Sequence, residues 1–243
     1  MKIAVLGAGN GGQAIAGYLA MQGCDVALYD IVVDKIDELK QLGGIKLEGR
    51  IHGFGKIGCI TTNLSEAVKE AEIIMVTTIA NAHKDVAQSL APYLVDGQVI
   101  ILNPGRTCGA LVFKQALIEA DCKARFYLAE AQTLVYACRI IENGTVNIIG
   151  VKDEVLLSAL PSLDTDYVLS KINPLYPSFM KTTNVLRTSL ENIGAMFHPC
   201  VLLFNAATIE RNEVFWFYRD MTEQIASFIE KFDAERLAVG KSY

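Results

Sequence analysis

KIAVLGAGNGGQAIAGYLAMQGCDVALYD, residues 2–30, decides the reading of this chain. The apolar run KIAVL (2–6) is followed by Gly7-Ala8-Gly9-Asn10-Gly11-Gly12, and the helix-like stretch GQAIAGYLAMQG (12–23) comes next. This is G-x-G-x-x-G between a strand and a helix, and each glycine has a mechanical reason. Gly7 permits the tight turn, Gly9 lets the backbone approach a pyrophosphate, and Gly12 lets the helix pack close to the strand. Amides at the helix N-terminus, from Asn10 and Gly11 onward, then face the phosphates. The second apolar run, DVALY (25–29), ends at Asp30, eighteen residues past Gly12. A carboxylate there accepts hydrogen bonds from the adenosine ribose and repels a 2′-phosphate, so the stretch predicts NAD binding in preference to NADP. The alternative is a plain turn followed by an aspartate that only caps a strand.

The same alternation continues outward. Apolar runs recur at 72–78 (EIIMVTT), 98–102 (QVIIL), 125–129 (RFYLA) and 146–150 (VNIIG), with helix-like segments between them. Near-continuous hydrophobicity marks strands covered on both faces, and strand alternating with helix implies right-handed crossovers. The expected fold is α/β: a doubly wound, mostly parallel sheet of the Rossmann type over residues 1–180, then a small all-α domain over 181–243. The boundary is KINPLYPSFMKTT (171–183), whose two prolines do not suit a central strand.

Composition narrows the function. The 243 residues are 51% hydrophobic with a net charge of −5, and there is no basic run, so nucleic acid is an unsuitable partner and small molecules are the expected ones. Mean hydropathy is +0.30, yet no run reaches the length of a membrane span. Six scattered cysteines form no CxxC and no metal-ligand spacing; they read as reduced packing residues of a cytoplasmic protein with no metal. The apolar start does not read as a secretory signal, because glycines interrupt it.

Candidate site residues fall on the loops after the strands, where ligands bind in doubly wound sheets. Thr77, Asn81 and His83 lie in TTIANAH (77–83), and Asn103-Pro104-Gly105 forms a turn that can bring backbone close to a nicotinamide. Arg106 follows it and suits an anionic group. Of the three histidines, His52 sits in the glycine-rich, hairpin-like RIHGFGKIG (50–58) and reads as a surface residue. His198 differs. From Asn184 onward, Leu186, Leu190, Ile193 and Phe197 form an apolar stripe at helical spacing, while Thr188, Glu191, Ala195 and His198 share another face. On one unbroken helix Glu191 would orient the His198 ring or raise its pKa, Asn192 would bond substrate or cofactor amide, and Pro199 would end the helix or start the next. A capping role is the alternative for such a histidine. A last helix is expected in DMTEQIASFIEKF (220–232), capped by Asp220 with Glu223 reciprocating. Its face of Ile225, Phe228, Ile229 and Phe232 has to bury against something, such as a partner copy or further sequence.

The blocks GAGNGGQAIAGYLA, ANAH, ILNPGRTCGA, AEAQTLVYACRI, LRTSLENIGAMFHP, LLFN and FYRDMTEQIASFIEKFDAERLAV run in order along the chain. In this the sequence resembles the octopine/nopaline (opine) dehydrogenase family. The resemblance implies a dinucleotide-binding domain followed by a helical one, and reductive joining of an amino acid's amine to a 2-oxo acid using NAD(P)H. It also implies that His198 transfers the proton and that Asn192 belongs to the site. Arg106, Arg139 and Arg187 are left as alternatives for binding a substrate carboxylate. Members of the family continue for roughly another hundred residues, about a domain's worth, and the aspartate that partners the histidine lies there. Asp220 and Asp233 match the FYRD and DAER blocks instead, so the helical domain reads as incomplete, as a short form, or as one that has lost catalysis. Two other readings stay open. One is a ketopantoate-reductase-like or 2-hydroxy acid dehydrogenase, although no lysine after residue 150 has an asparagine four residues on. The other is a non-catalytic, redox-sensing NAD module.

Overall fold

The computed structural model describes residues 1–242. It opens with β1 (Lys2–Leu6), α1 (Asn10–Met21), β2 (Asp25–Tyr29) and α2 (Val33–Leu42), followed by a hairpin of β3 (Gly44–Gly49) and β4 (Gly53–Lys56). Next come β5 (Cys59–Thr61), α3 (Leu64–Val68), β6 (Ile73–Val76), α4 (His83–Leu90), β7 (Val99–Leu102), α5 (Gly109–Glu119) and β8 (Tyr127–Ala131). A second hairpin, β9 (Tyr136–Glu142) and β10 (Thr145–Val151), leads to β11 (Val155–Ala159), α6 (Thr165–Ile172) and β12 (Phe179–Lys181). The chain then becomes helical: α7 (Val185–Leu190), α8 (Gly194–Phe204), α9 (Ala206–Glu210) and α10 (Glu223–Gly240).

The main sheet has eight strands in the order β12-β11-β8-β7-β6-β1-β2-β5. All neighbours are parallel except β8 and β11. From β1 the chain winds outward to β2 and β5, then returns to the other side of β1 as β6. Strand order therefore reverses between β1 and β6, and a crevice opens beyond their carboxyl ends at Gly7 and Thr77.

Every residue from Ile3 to Leu6 is fully buried, which accounts for the unbroken apolar run. Ile3 and Val5 pack with Ala14, Ile15 and Leu19 of α1, whereas Ala4 and Leu6 pack on the opposite face with Leu90, Phe113 and Leu117. Each such fully buried Ile or Leu contributes roughly 1.5–3 kcal/mol.

The expected single sheet is corrected in one respect. VNIIG (146–150) belongs to a separate four-stranded sheet, β4-β3-β10-β9, which covers the outer side of α1. Helix α1 is thus buried from both sides, with Gly12 to Gly17 all inaccessible. Close approach requires small residues: a Cβ on Gly55 would stand 2.1 Å from the Gly17 carbonyl oxygen. Gln13, fully buried in the middle, locks the layers together. Its amide donates to the Ala8 carbonyl (3.0 Å) and to Asn143 Oδ1 (2.8 Å), and its oxygen accepts from Gly144 N (3.0 Å). His52 is exposed in the turn between β3 and β4.

The boundary segment KINPLYPSFMKTT carries an edge strand, β12, beyond its two prolines. Two further expectations need revision. The unbroken helix from Asn184 is instead two helices, with 191–193 as a turn and Pro199 inside the second rather than at its end. Helix α10 is capped by Thr222, which accepts from Ile225 N; Asp220 instead accepts from Trp216 N (2.7 Å) and pairs with Arg219. Of its predicted apolar face only Ile225 is buried, while Phe228 and Phe232 remain 43% and 41% exposed. Five of the six cysteines are half-buried and Cys200 is buried. No described helix is long and apolar enough to cross a membrane, and no cluster of three potential metal ligands exists among the described residues.

Candidate cofactor and active site

Gly7 adopts φ +106°, a conformation that side chains rarely tolerate, and its amide donates to the Tyr29 carbonyl (2.7 Å). The chain then doubles back so tightly that a Cβ on Gly12 would lie 1.7 Å from the Gly7 carbonyl oxygen. A Cβ on Gly9, by contrast, would meet nothing within 4 Å; it would point into open space above the turn. That free space over the amino end of a 12-residue helix fits a pyrophosphate.

Beside it lies a cavity of about 410 Å³, with Gly7, Gly9, Asp30, Lys35, Thr77 and Asp85 on its walls and Ile31, Val32, Leu64, Ile79 and Val86 supplying apolar surface. A flat base suits the apolar part and a ribose the part at Asp30. Asp30 Oδ2 accepts from Ala8 N (2.7 Å) and from Lys35 Nζ (3.0 Å), and Oδ1 accepts from Val32 N (3.0 Å). Burial alone would raise this carboxyl, but the Val32, Ala8 and Lys35 donors outweigh it and hold the group below its ordinary 3.8.

Other predicted cofactor residues serve the frame of the site. Thr77 reaches the cavity, yet its hydroxyl lies within hydrogen-bonding distance of the Leu6 (3.0 Å) and Gly7 (2.9 Å) carbonyls, bracing the turn. Asn10 Oδ1 accepts from Ile140 N (2.7 Å) and ties α1 to the second sheet, and a Cβ on Gly11 would collide with Leu134. The turn expected to face a nicotinamide is packed inward. Asn103 is buried, with its amide donating to the Ile101 carbonyl (3.3 Å) and its Oδ1 unpartnered; a cis bond joins it to Pro104. Gly105 donates to the Ala131 carbonyl (3.0 Å) and lies so close to Glu130 that a Cβ would come within 2.4 Å of the carboxylate.

A second, open cleft of about 560 Å³ is lined by Ala80, Arg106, Thr107, Asn192, Gly194, Ala195, His198 and Pro199. Its wall at Ala80 belongs to the loop that supplies Ile79 and Ala82 to the first cavity, so the two spaces are neighbours across that loop. Arg106, distant in sequence from Asn192 and His198, meets them here. The His198 ring is exposed, flanked by Phe217 at 5.1 Å between centroids, and its Nδ1 lies 2.9 Å from the Gly194 carbonyl. A carbonyl can only accept, so Nδ1 carries a proton, and in the neutral ring Nε2 is the free acceptor. The Asn192 amide nitrogen is buried without a hydrogen-bond partner.

Glu191 and Arg187 lie elsewhere. They pair with each other at 2.7 Å and line a different groove, and no described carboxylate bonds the His198 ring. The break at 191–193 interrupts the helical phase on which a Glu191–His198 contact depends. His83 is buried behind the loop, edge-on to Phe113, with Nε2 unpartnered. Burial pushes its pKa down; the Thr78 backbone opposes this and the Arg106 charge adds to it.

Glu130, absent from the predicted set, organises the cleft from beneath. Fully buried at the end of β8, it accepts from Ala110 N (2.8 Å) at the start of α5, from Thr188 Oγ1 (2.5 Å) and from Ser189 Oγ (2.9 Å) on α7. Ser189 Oγ in turn accepts from Cys108 N (2.9 Å). The carboxylate thereby fastens α7, which leads to Asn192, against the loop carrying Arg106, where Arg106 and Cys108 both have positive φ. An acid inside the apolar run YLAEA was the available signal.

Burial raises the Glu130 carboxyl above 4.5 in spite of the donors from Thr188, Ala110 and Ser189. A raised acid makes the folded state bind more protons than the unfolded one, so its stabilising contribution is present below 4.5 and lost as pH rises through the higher folded value. The urea midpoint of the wild type is expected to fall over that window, at up to about 1.4 kcal/mol per pH unit from this group. Glu130→Gln should flatten the fall; an identical slope in the variant would reject this assignment.

Comparison with known proteins gives the family and the fold. Residues 181–243 match the family described as NAD/NADP octopine/nopaline dehydrogenase, alpha-helical domain, and residues 2–102 match the NADP oxidoreductase, coenzyme F420-dependent family. The opine dehydrogenase of Arthrobacter sp. (strain 1C) is 36% identical over 242 residues, covering 99% of this chain and 67% of that protein. A solved octopine dehydrogenase with NADH and L-arginine superposes with a TM-score of 0.77 at 23% identity, over 93% of this chain and 60% of its own. A ketopantoate reductase from Ralstonia eutropha shares the fold, with a TM-score of 0.70 at 16% identity over 100% of this chain and 74% of its own. The chain belongs to the octopine/nopaline (opine) dehydrogenase family. It spans about two thirds of the length of the Arthrobacter relative and less of the solved octopine dehydrogenase.

Proposed function

We propose that this chain binds NAD(P)H and serves an opine-type dehydrogenase reaction, in which an amino acid's amine and a 2-oxo acid are joined reductively. The observation that carries the reading is the cleft in which His198, Asn192 and Arg106 converge beside the dinucleotide-type cavity. Gly7, Gly9 and the first amides of α1 would hold the pyrophosphate, and Asp30 the adenosine ribose. When bound, the nicotinamide supplies the hydride that reduces the carbon joined to nitrogen.

The remaining work falls to the chain's own groups. His198 Nε2 is free to take a proton from the substrate ammonium as nitrogen attacks the oxo carbon and to pass it to the oxygen; a second proton from the same nitrogen lets that oxygen leave as water, and the secondary amine formed on reduction takes up one proton from solvent. Arg106 offers its guanidinium to a substrate carboxylate, and the unpartnered Asn192 amide donates to a substrate or cofactor carbonyl. Overall the reaction consumes one proton and releases one water for each C–N bond formed.

NADH oxidation with panels of amino acids and 2-oxo acids tests this reading. Turnover that requires both substrates is the expected result. Oxidation with a 2-oxo acid alone would assign a 2-hydroxy acid dehydrogenase, and NADH binding without turnover would assign a binding module.

A further inference from the structure

The loop that follows β8, residues 132–135, stands at the junction of the two spaces, outside the carboxyl end of its strand. Just before it, the Ala131 carbonyl accepts from Gly105 N (3.0 Å), next to Arg106. Gln132 Nε2 reaches the Glu191 carbonyl (3.4 Å), next to Asn192. Leu134 packs where a Cβ on Gly11 would collide, at the amino end of α1. One short loop thus touches the Arg106 turn, the Asn192 turn and the glycine turn. Lys152, the first residue after β10, is fixed to this loop twice: its amide donates to the Val135 carbonyl (2.9 Å) and its Nζ to Thr133 Oγ1 (2.6 Å). Among the described residues, no carboxylate forms an ion pair with Lys152 or with Arg106. Loss of surrounding water, and then the Arg106 charge, lowers the Lys152 pKa, so the two cations are near enough to repel. An anion between them would relieve that repulsion.

We propose that Lys152 is a second anion-binding residue of the site and takes the carboxylate of the 2-oxo acid, leaving Arg106 for that of the amino acid. Reductive joining gives a product with two carboxylates, one on each side of the new C–N bond, and the site presents one cation to each. The oxo-acid carboxylate is bonded to the carbon that receives hydride, so it has to lie beside the cofactor. Of the two cations, Lys152 is the one bonded within the loop that packs on the glycine turn, whereas Arg106 lines the cleft with His198. The proposal rests on the opine-type reading of that cleft.

Steady-state rates with NADH, a saturating amino acid and either pyruvate or its uncharged methyl ester test it in the wild type, Lys152→Met and Lys152→Arg. The wild type is expected to prefer pyruvate by at least about tenfold in kcat/KM, and Lys152→Met to lose most of that preference through a higher KM for pyruvate at unchanged kcat. The KM for the amino acid should stay within about threefold, and Lys152→Arg should restore the preference, since a guanidinium also binds carboxylate. A Lys152→Met variant that keeps the preference overturns the proposal. So does one that weakens pyruvate and its ester equally, because a lysine that merely fixed the loop through Thr133 would behave that way. If no pair of substrates turns over, the opine-type reading fails, and titration calorimetry of pyruvate into the NADH-loaded chain still decides the lysine. A loss of at least about tenfold in affinity in Lys152→Met then supports it, whereas equal affinities, or no binding to the wild type, overturn it.

Discussion

Gly12→Ala is expected to lower NADH affinity by at least about 100-fold, or roughly 2.7 kcal/mol. The added Cβ would stand 1.7 Å from the Gly7 carbonyl oxygen and 2.7 Å from Thr77 Oγ1, and neither atom can yield easily. The carbonyl belongs to the turn, and the hydroxyl is held against the Leu6 and Gly7 carbonyls. Helix α1 would have to retreat from β1 against the second sheet on its other side, taking its amide donors away from the phosphate position. Overpacking of this kind costs about 1–3 kcal/mol of stability. Gly9→Ala provides the contrast, because its Cβ meets no protein atom within 4 Å and its φ of −81° suits any residue. It should keep stability within about 0.5 kcal/mol of wild type while still impairing NADH binding, since the space it fills is the ligand's. Titration calorimetry with urea unfolding separates the two effects; normal NADH affinity in both variants would show that the dinucleotide lies elsewhere.

His198→Ala is expected to reduce turnover by about 10²–10⁴-fold, the range for losing a positioned acid–base group, while NADH binding is retained. The ring lies in the cleft with Arg106 rather than in the cavity lined by Gly7, Gly9 and Asp30, so cofactor affinity has no direct reason to change. Its Nδ1 is committed to the Gly194 carbonyl, which directs the free Nε2 lone pair as the acceptor. Glu191→Gln, by contrast, should leave turnover within about threefold of wild type, because a half-exposed helical pair with Arg187 is worth only about 0.3–0.5 kcal/mol. Steady-state rates compare the variants directly. A His198→Ala enzyme with undiminished turnover would remove this histidine from the chemistry.

The sequence was most informative where one local rule and one long-range rule agreed. KIAVL is both a strand by its apolar run and the first strand by the glycine turn after it, and β1, α1 and β2 follow that reading closely. The second sheet was obscured because β3 and β4 carry Gly44, Gly49, Gly53 and Gly55. Those glycines resemble loop material, but Gly55 is there because the α1 backbone passes so close. His198 and Asn192 were visible as polar residues near an apolar helical stripe. Their relation to Glu191 was not, since helical phase assumes an unbroken helix and the turn at 191–193 resets it. Glu130 escaped notice for another reason: its partners lie far along the chain, and only folding brings Thr188 and Ser189 to it.

The bracing of the glycine turn by Gln13 bears on how readily a nucleotide would be taken up. Gln13 holds Ala8 on one side and the Asn143–Gly144 corner on the other, and Asn143 reaches on to the Lys35 carbonyl and Glu38 of α2. The walls that would grip the diphosphate and the ribose are thus rigidly joined before any ligand arrives. Association at such a prearranged cradle forfeits little chain entropy, so more of the contact energy is available as affinity.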